Sequence, residues 1–187
     1  KIGIIASVNP EGLPHLTMIT SIRTAGPTRL TLGEFCKGLG KEHIQKNPKV
    51  AFLVLSLDRK LWRGKARWAH LKKDGPEFER YRELAMFRYN PYFGVNTVHY
   101  LDLIEAWGPE TLPMGDITRS AIITRIARGR ATTRGETRVL KPVAEELFNK
   151  LNALKFLAYI GADGFPLIVP VIQCQAADSR RLVFSAG

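Results

Sequence analysis

Over roughly the first seventy residues, apolar side chains recur at every second position, the period of a strand with one buried face. Ile2, Ile4, Ala6 and Val8 form the first run. Asn9-Pro10-Glu11-Gly12 follows, with Asn, Pro and Gly at the first, second and fourth places of a type I turn, and predicts a tight hairpin. A Thr- and Ile-rich run over residues 16–22 is the second strand, and Arg29-Leu30-Thr31-Leu32 is the third, beyond the turn Thr24-Ala25-Gly26-Pro27. The three are expected to form a meander. Residues 50–57 are almost continuously apolar, as in a strand covered on both faces, and residues 61–68 alternate bulky with charged side chains like a partly exposed neighbour. Five such strands fit a closed or half-closed barrel. Residues 37–46 are short, polar and bounded by Asn47-Pro48, which predicts a single helix or helical turn.

The period changes after Asp74. Phe78, Tyr81, Leu84 and Ala85 recur at helical spacing behind Gly75-Pro76, predicting an inserted helix. Residues 97–107 read as a sixth strand that Gly108-Pro109 ends. Residues 116–141 carry Arg119, Arg125, Arg128, Arg130, Arg134, Arg138 and Lys141 against Asp116 and Glu136, which fits a basic loop or a surface helix ending near Gly129. A helix from Pro142 follows, with Val143, Leu147, Leu151 and Leu154 on one stripe.

An internal repeat underlies this order. A shift of 152 positions lays residues 157–166 over residues 5–14, with Ala, Gly and Pro coinciding, and then places Arg181 and Leu182 on Arg29 and Leu30 without a gap. The same strand, Gly-ended turn, strand, turn and strand is expected twice. The second copy stops at Gly187 without counterparts of the fourth and fifth strands, and the first residue is Lys1 rather than Met, so the expectation is a processed or partial chain.

Composition narrows the chemistry. The 187 residues carry a formal net charge of +11, which favours an anionic partner: nucleic acid, an acidic lipid surface or a phosphorylated small molecule. No apolar run reaches the roughly 18–20 residues of a membrane span, and no secretory signal opens the chain. The two cysteines, Cys36 and Cys174, read as reduced thiols, which implies a cytoplasmic protein. His15, His43, His70 and His99 are scattered singly, and no metal site is expected. There is no Gly-x-Ser-x-Gly elbow, dinucleotide fingerprint or P-loop. Lys37, Lys41 and Lys46 flank one short turn and could hold a phosphate through charge-assisted bonds.

Gly12-Leu13-Pro14-His15, the Leu30-Thr31-Leu32-Gly33-Glu34 strand, the turn ending in Asn47-Pro48-Lys49-Val50 and Arg63-Gly64-Lys65-Ala66 together resemble the pyridoxamine-phosphate-oxidase-like family. The resemblance covers residues 1–70, extends toward 107 and returns in 155–187. It implies a mainly β protein, the FMN-binding split barrel with a few helices, and a homodimer with flavin mononucleotide in clefts between the subunits. Carried over residue by residue, it points to Thr17, Met18, Ile19, Thr20 and Ser21 on the second strand, Gly33 and Glu34 at the end of the third, Lys37 and Lys41 at the turn, and Arg59 near the flavin ring. Oxidases of this family carry basic residues at both ends of the second-strand motif, where this chain has Thr17 and Ile22, with Arg23 one step later. Thr17, Thr20 and Lys41 are assigned to the phosphate, Glu34 and Arg59 to the ring.

The expected organisation is a split-barrel domain over 1–115 with its inserted helix, a basic loop or linker over 116–141, and over 142–187 a linker helix and the meander of a second, incomplete repeat. The expected function is that of an FMN-dependent oxidoreductase moving hydride through the flavin. The alternatives are a non-catalytic barrel holding haem, a deazaflavin or another flat cofactor, and a basic dimer that binds nucleic acid through the Arg-rich segment.

Overall fold

In the computed structural model, residues 1–84, 94–132 and 138–185 are described. The chain divides into two compact units: Lys1–Thr111 with Ala158–Ile168, and Leu112–Leu157 with the chain from Val169 onward.

The first unit is built on a seven-stranded antiparallel sheet. Its strands are β1 (Ile2–Val8), β2 (Pro14–Met18), β3 (Arg23–Thr24), β4 (Arg29–Glu34), β5 (Lys49–Leu55), β6 (Lys60–Lys72) and β7 (Thr97–Thr111), in the order β2-β1-β5-β6-β7-β4-β3. The edge strands β2 and β3 are neighbours along the chain, joined only by residues 19–22. A flat sheet would hold its outer strands about 29 Å apart, and a link this short spans under about 20 Å, so the sheet has to curl into a barrel split between β2 and β3. The interior holds Ile5, Ile22, Leu32, Val50, Phe52 and Leu101.

Helix α1 (Leu39–Lys46) packs on β1 and β2. Helix α2 (Pro76–Arg82) brings the buried Tyr81 against Val95, Val98 and Tyr100. Of the expected α2 stripe, Phe78, Tyr81 and Leu84 belong to this cluster, and Ala85 lies outside the described residues.

Two expectations about the sheet are corrected. The opening three strands do not form one meander: β1 pairs with β2, but β3 pairs with β4, and β4 pairs with β7. The second strand starts at Pro14 and ends at Met18; the Ile19 N–H makes one more bond in the same register, donating to the Gly3 carbonyl at 2.7 Å, and the chain then turns away at residues 20–21. Nor does Gly108-Pro109 end β7. The strand runs on to Thr111, with a shift of register opposite Leu61 and Arg63 of β6.

In the second unit the basic segment forms helix α3 (Met114–Ala131), which buries Ala121 and Thr124 and exposes Arg119, Arg125 and Arg130. Arg134 and Glu136 lie outside the described residues. Helix α4 (Pro142–Asn149) follows, and Val143, Leu147, Leu151 and Leu154 of its expected stripe are all exposed.

The repeat is present in the backbone. Strands β8 (Phe156–Ile160), β9 (Pro166–Pro170), β10 (Gln175–Ala176) and β11 (Leu182–Val183) follow the order of the opening strands. Arg23 pairs with Thr31 and Thr24 with Leu30; displaced by the same shift, Gln175 pairs with Val183 and Ala176 with Leu182. Gly12 and Gly164 both close their turns with positive φ, of 78° and 73°. The bond from Ile19 N–H to Gly3 O recurs from Val171 N–H to Lys155 O at 2.8 Å. No helix among the described residues is long and apolar enough to cross a membrane.

Candidate functional site

Where the chain leaves β2 it forms one wall of a cavity of about 180 Å³, lined by Thr17, Met18, Ile19, Thr20 and Ser21, by Gly33, Phe35 and Cys36 after β4, and by Gly38, Gly40 and Lys41 at the start of α1. Three contacts set this wall. The Ile19 N–H is held by Gly3 O; the Ser21 hydroxyl donates to Gly33 O at 2.9 Å; and the buried Tyr81 hydroxyl donates to Ser21 O at 2.6 Å. The opposite wall lies close because Gly40 has no side chain: a Cβ there would overlap the Thr17 hydroxyl. Gly38 offers no side-chain cap to α1, so the positive end of the helix faces the cavity through backbone alone.

Lys41 supplies the charge. It is only 7% exposed, and its ammonium donates to Cys36 O at 2.7 Å and lies 3.9 Å from Glu34 Oε1. Glu34 is fixed from behind. Thr97 donates to its Oε2 at 2.5 Å, and His99 Nε2 lies 3.2 Å from the same oxygen. His99 is fully buried, and the Trp68 indole N–H donates to its Nδ1 at 3.1 Å. Burial alone would raise the Glu34 carboxyl, but the bonds from Thr97 and His99 and the Lys41 charge outweigh it and hold it below the ordinary carboxylate value. Burial lowers His99, more than Glu34 raises it, and Lys41 adds to the lowering. The ring is therefore a neutral donor and Glu34 an anion. Two hydroxyls, a buried ammonium and a helix N-terminus make a donor set suited to a phosphate or another small anion.

Of the ten residues named from sequence, Thr17, Met18, Ile19, Thr20, Ser21, Gly33 and Lys41 line this cavity. Glu34 stands behind it through Lys41. Lys37 is exposed and outside the lining, and Arg59 lies in the turn between β5 and β6, with a φ of 63°, and is not brought to this cavity. The residues that sequence did not single out are Phe35, Gly38 and Gly40 in the lining, and Thr97, His99 and Trp68 behind Glu34. Only the pairing of β4 with β7 reveals the second group, since it sets Glu34 opposite Thr97. His15 and His43, single in the sequence, meet edge to face with ring centres 5.0 Å apart.

No protein-family model and no curated protein matches the sequence. Among solved structures the chain is similar to an FMN-binding protein from Syntrophomonas wolfei subsp. wolfei, with a TM-score of 0.50 and 14% identity over 59% of this chain and 78% of that one. It is also similar to HupZ of Group A Streptococcus (TM-score 0.48, 16% identity, 57% of this chain and 82% of that one). General stress protein 26 from Bacillus anthracis str. Sterne gives a TM-score of 0.45 and 15% identity, over 60% and 88%. The chain has the split-barrel fold of the pyridoxamine-phosphate-oxidase-like proteins.

Proposed function

We propose that the protein is a flavoprotein that holds the phosphate of flavin mononucleotide in the cavity between β2, the end of β4 and α1, and that it works as an oxidoreductase. One observation carries this reading: seven residues named from sequence as cofactor contacts, the buried Lys41 among them, converge on one small cavity. The donor set fits the group. Thr17 and Thr20 offer hydroxyls, Lys41 offers charge, and Gly40 leaves space beside Thr17 that any larger residue would fill. The bound flavin would supply hydride acceptance and donation; the chain's residues bind and orient it. Glu34, held anionic by Thr97 and His99, keeps the Lys41 ammonium in place.

A volume of about 180 Å³ suits the phosphate end of the cofactor rather than the whole of it. Beside it Met18 is 70% exposed, and Leu13 and Leu16 are exposed along the same edge. We therefore assign the far wall of the ring site to a second copy of the chain, in a homodimer. Cys36 and Cys174 are both free thiols, in keeping with a reducing cytoplasm.

The test is the visible spectrum of the purified protein, followed by titration of the flavin-free protein with flavin mononucleotide. Binding that weakens at least about tenfold in the Thr17→Ala/Lys41→Met double variant supports the placement. A protein that takes up no flavin refutes the function, and unchanged affinity in the variant refutes the site. Light scattering of the loaded protein tests the dimer.

A further inference from the structure

The first unit holds another cavity, of about 400 Å³, which shares no lining residue with the one above. It opens into the barrel between β5, β6 and β7. Phe52 and Val54 point into it from one face of β5, Trp62 faces Val54 across the ladder, and Leu30 and Leu103 close the floor. Its charged lining is wholly cationic: Lys1, Arg23 at the start of β3 and Arg80 on α2. No carboxylate lines it, and neither arginine has an ion pair among the described residues. The Lys1 ammonium donates to Ile22 O at 2.8 Å, and burial together with the Arg23 charge lowers its pKa.

Lys1 and Arg80 are exposed at the rim of this cavity and Arg23 is half-buried. Here two arginines and a lysine rim an apolar cavity without a counter-ion, an arrangement in which their mutual repulsion is relieved by an anion. Aromatic and aliphatic walls at the same place call for an apolar body attached to that anion. We infer that this cavity is a binding site for a small amphipathic anion, an aromatic body carrying one carboxylate, sulfonate or phosphate head, with the body between Phe52 and Trp62 and the head at Arg23 and Arg80. The site stands apart from the flavin reading and does not depend on it.

Two probes with the same rings and different charge test it: anilinonaphthalene sulfonate and its uncharged parent, phenylnaphthylamine. The sulfonate is expected to bind at one site per chain, with enhanced fluorescence, at least about tenfold tighter than the parent. The Arg23→Gln/Arg80→Gln variant is expected to lose that advantage while keeping affinity for the parent, and Ala106→Phe, which fills the cavity mouth, is expected to weaken both. Each variant is first checked for a cooperative thermal transition like that of the original protein. Should the double variant unfold, the unsubstituted protein decides: sulfonate affinity falls with ionic strength and that of the parent does not. Equal affinity for the two probes, many weak sites, no binding, or insensitivity to both the substitutions and salt overturns the assignment.

Discussion

The indole N–H of Trp68 donates to Nδ1 of His99 at 3.1 Å, and this bond decides what the far side of the imidazole can do. With Nδ1 accepting, the single proton of the neutral ring sits on Nε2, facing Glu34 Oε2 at 3.2 Å. A chain of groups thus runs from Trp68 on β6 through His99 on β7 to Glu34 on β4 and Lys41 on α1. It links three strands of the barrel to the candidate phosphate site.

The same chain makes stability depend on pH. His99 lies below its ordinary value of 6.5 in the native state, so as pH falls past 6.5 the unfolded chain takes up a proton that the native one does not, and stability is lost. Glu34 is held below its ordinary 4.5; its contribution is complete above that value and disappears as pH falls through the native one. Thermal midpoints measured from about pH 8 to about pH 4 should therefore decline in two stages. In His99→Gln the first stage should flatten and the second remain. An unchanged slope below 6.5 in that variant would show that His99 is not the group titrating.

Gly40 and Gly38 make a paired test of the cavity wall. A Cβ at Gly40 would overlap the Thr17 hydroxyl, whereas one at Gly38 would meet nothing within 4 Å. Gly40→Ala should weaken flavin binding about tenfold or more and cost about 1–3 kcal/mol of stability. Gly38→Ala, at an extended φ of −158°, should change stability by less than about 1 kcal/mol. Flavin titration and urea unfolding of the two variants distinguish a close-packed wall from an open one.

Tyr81 connects the inserted helix to the site. Its hydroxyl donates to Ser21 O at 2.6 Å and lies 3.0 Å from Thr31 O, and the side chain is almost wholly buried. Tyr81→Phe keeps the ring and leaves the Ser21 carbonyl without its donor, which should cost about 1–2 kcal/mol in urea unfolding. Ser21 hydrogen-bonds to Gly33 and lines the cavity, so flavin affinity should fall as well. Loss of stability with unchanged affinity would separate the Tyr81 anchor from the candidate phosphate site.

Most strands could be read from sequence because their apolar period is local. The exceptions are places where one signal serves two geometries. Residues 19–22 continue the apolar run of β2, so they read as strand, yet they form the link that crosses the split in the barrel. Gly108-Pro109 carries the usual signs of a stop, but the shifted register against β6 lets β7 pass through it. At the candidate site, Thr17–Ser21 and Gly33, which line the cavity, were named through resemblance to a family whose motif covers them. Thr97 and His99 were not, since they lie 63 and 65 residues from Glu34 and meet it only through the pairing of β4 with β7.

The two copies of the repeat differ most usefully at one position. Gly3 sits where a Cβ would overlap the Ile19 carbonyl and the Ile22 side chain, so the first copy has no room for any other residue. The equivalent place in the second copy holds Lys155, buried, with its ammonium donating to Ile172 O at 3.0 Å and to Cys174 O at 2.8 Å. One copy leaves the space to backbone, and the other fills it with a cation that binds carbonyl groups. Burial lowers the Lys155 pKa, so the native state resists a proton that the unfolded chain accepts, and stability falls as pH drops below the ordinary 10.5. Gly3→Ala should cost about 1–3 kcal/mol, because a backbone carbonyl cannot swing aside as a flexible side chain can. Lys155→Met removes two hydrogen bonds and one buried charge together, so its loss at neutral pH should be smaller than that of Lys155→Ala, which also empties the space the stem occupied. Unfolding monitored at neutral and at alkaline pH decides the matter. If the deficit of Lys155→Met does not grow as pH rises toward 10.5, the buried ammonium is not what distinguishes the second copy.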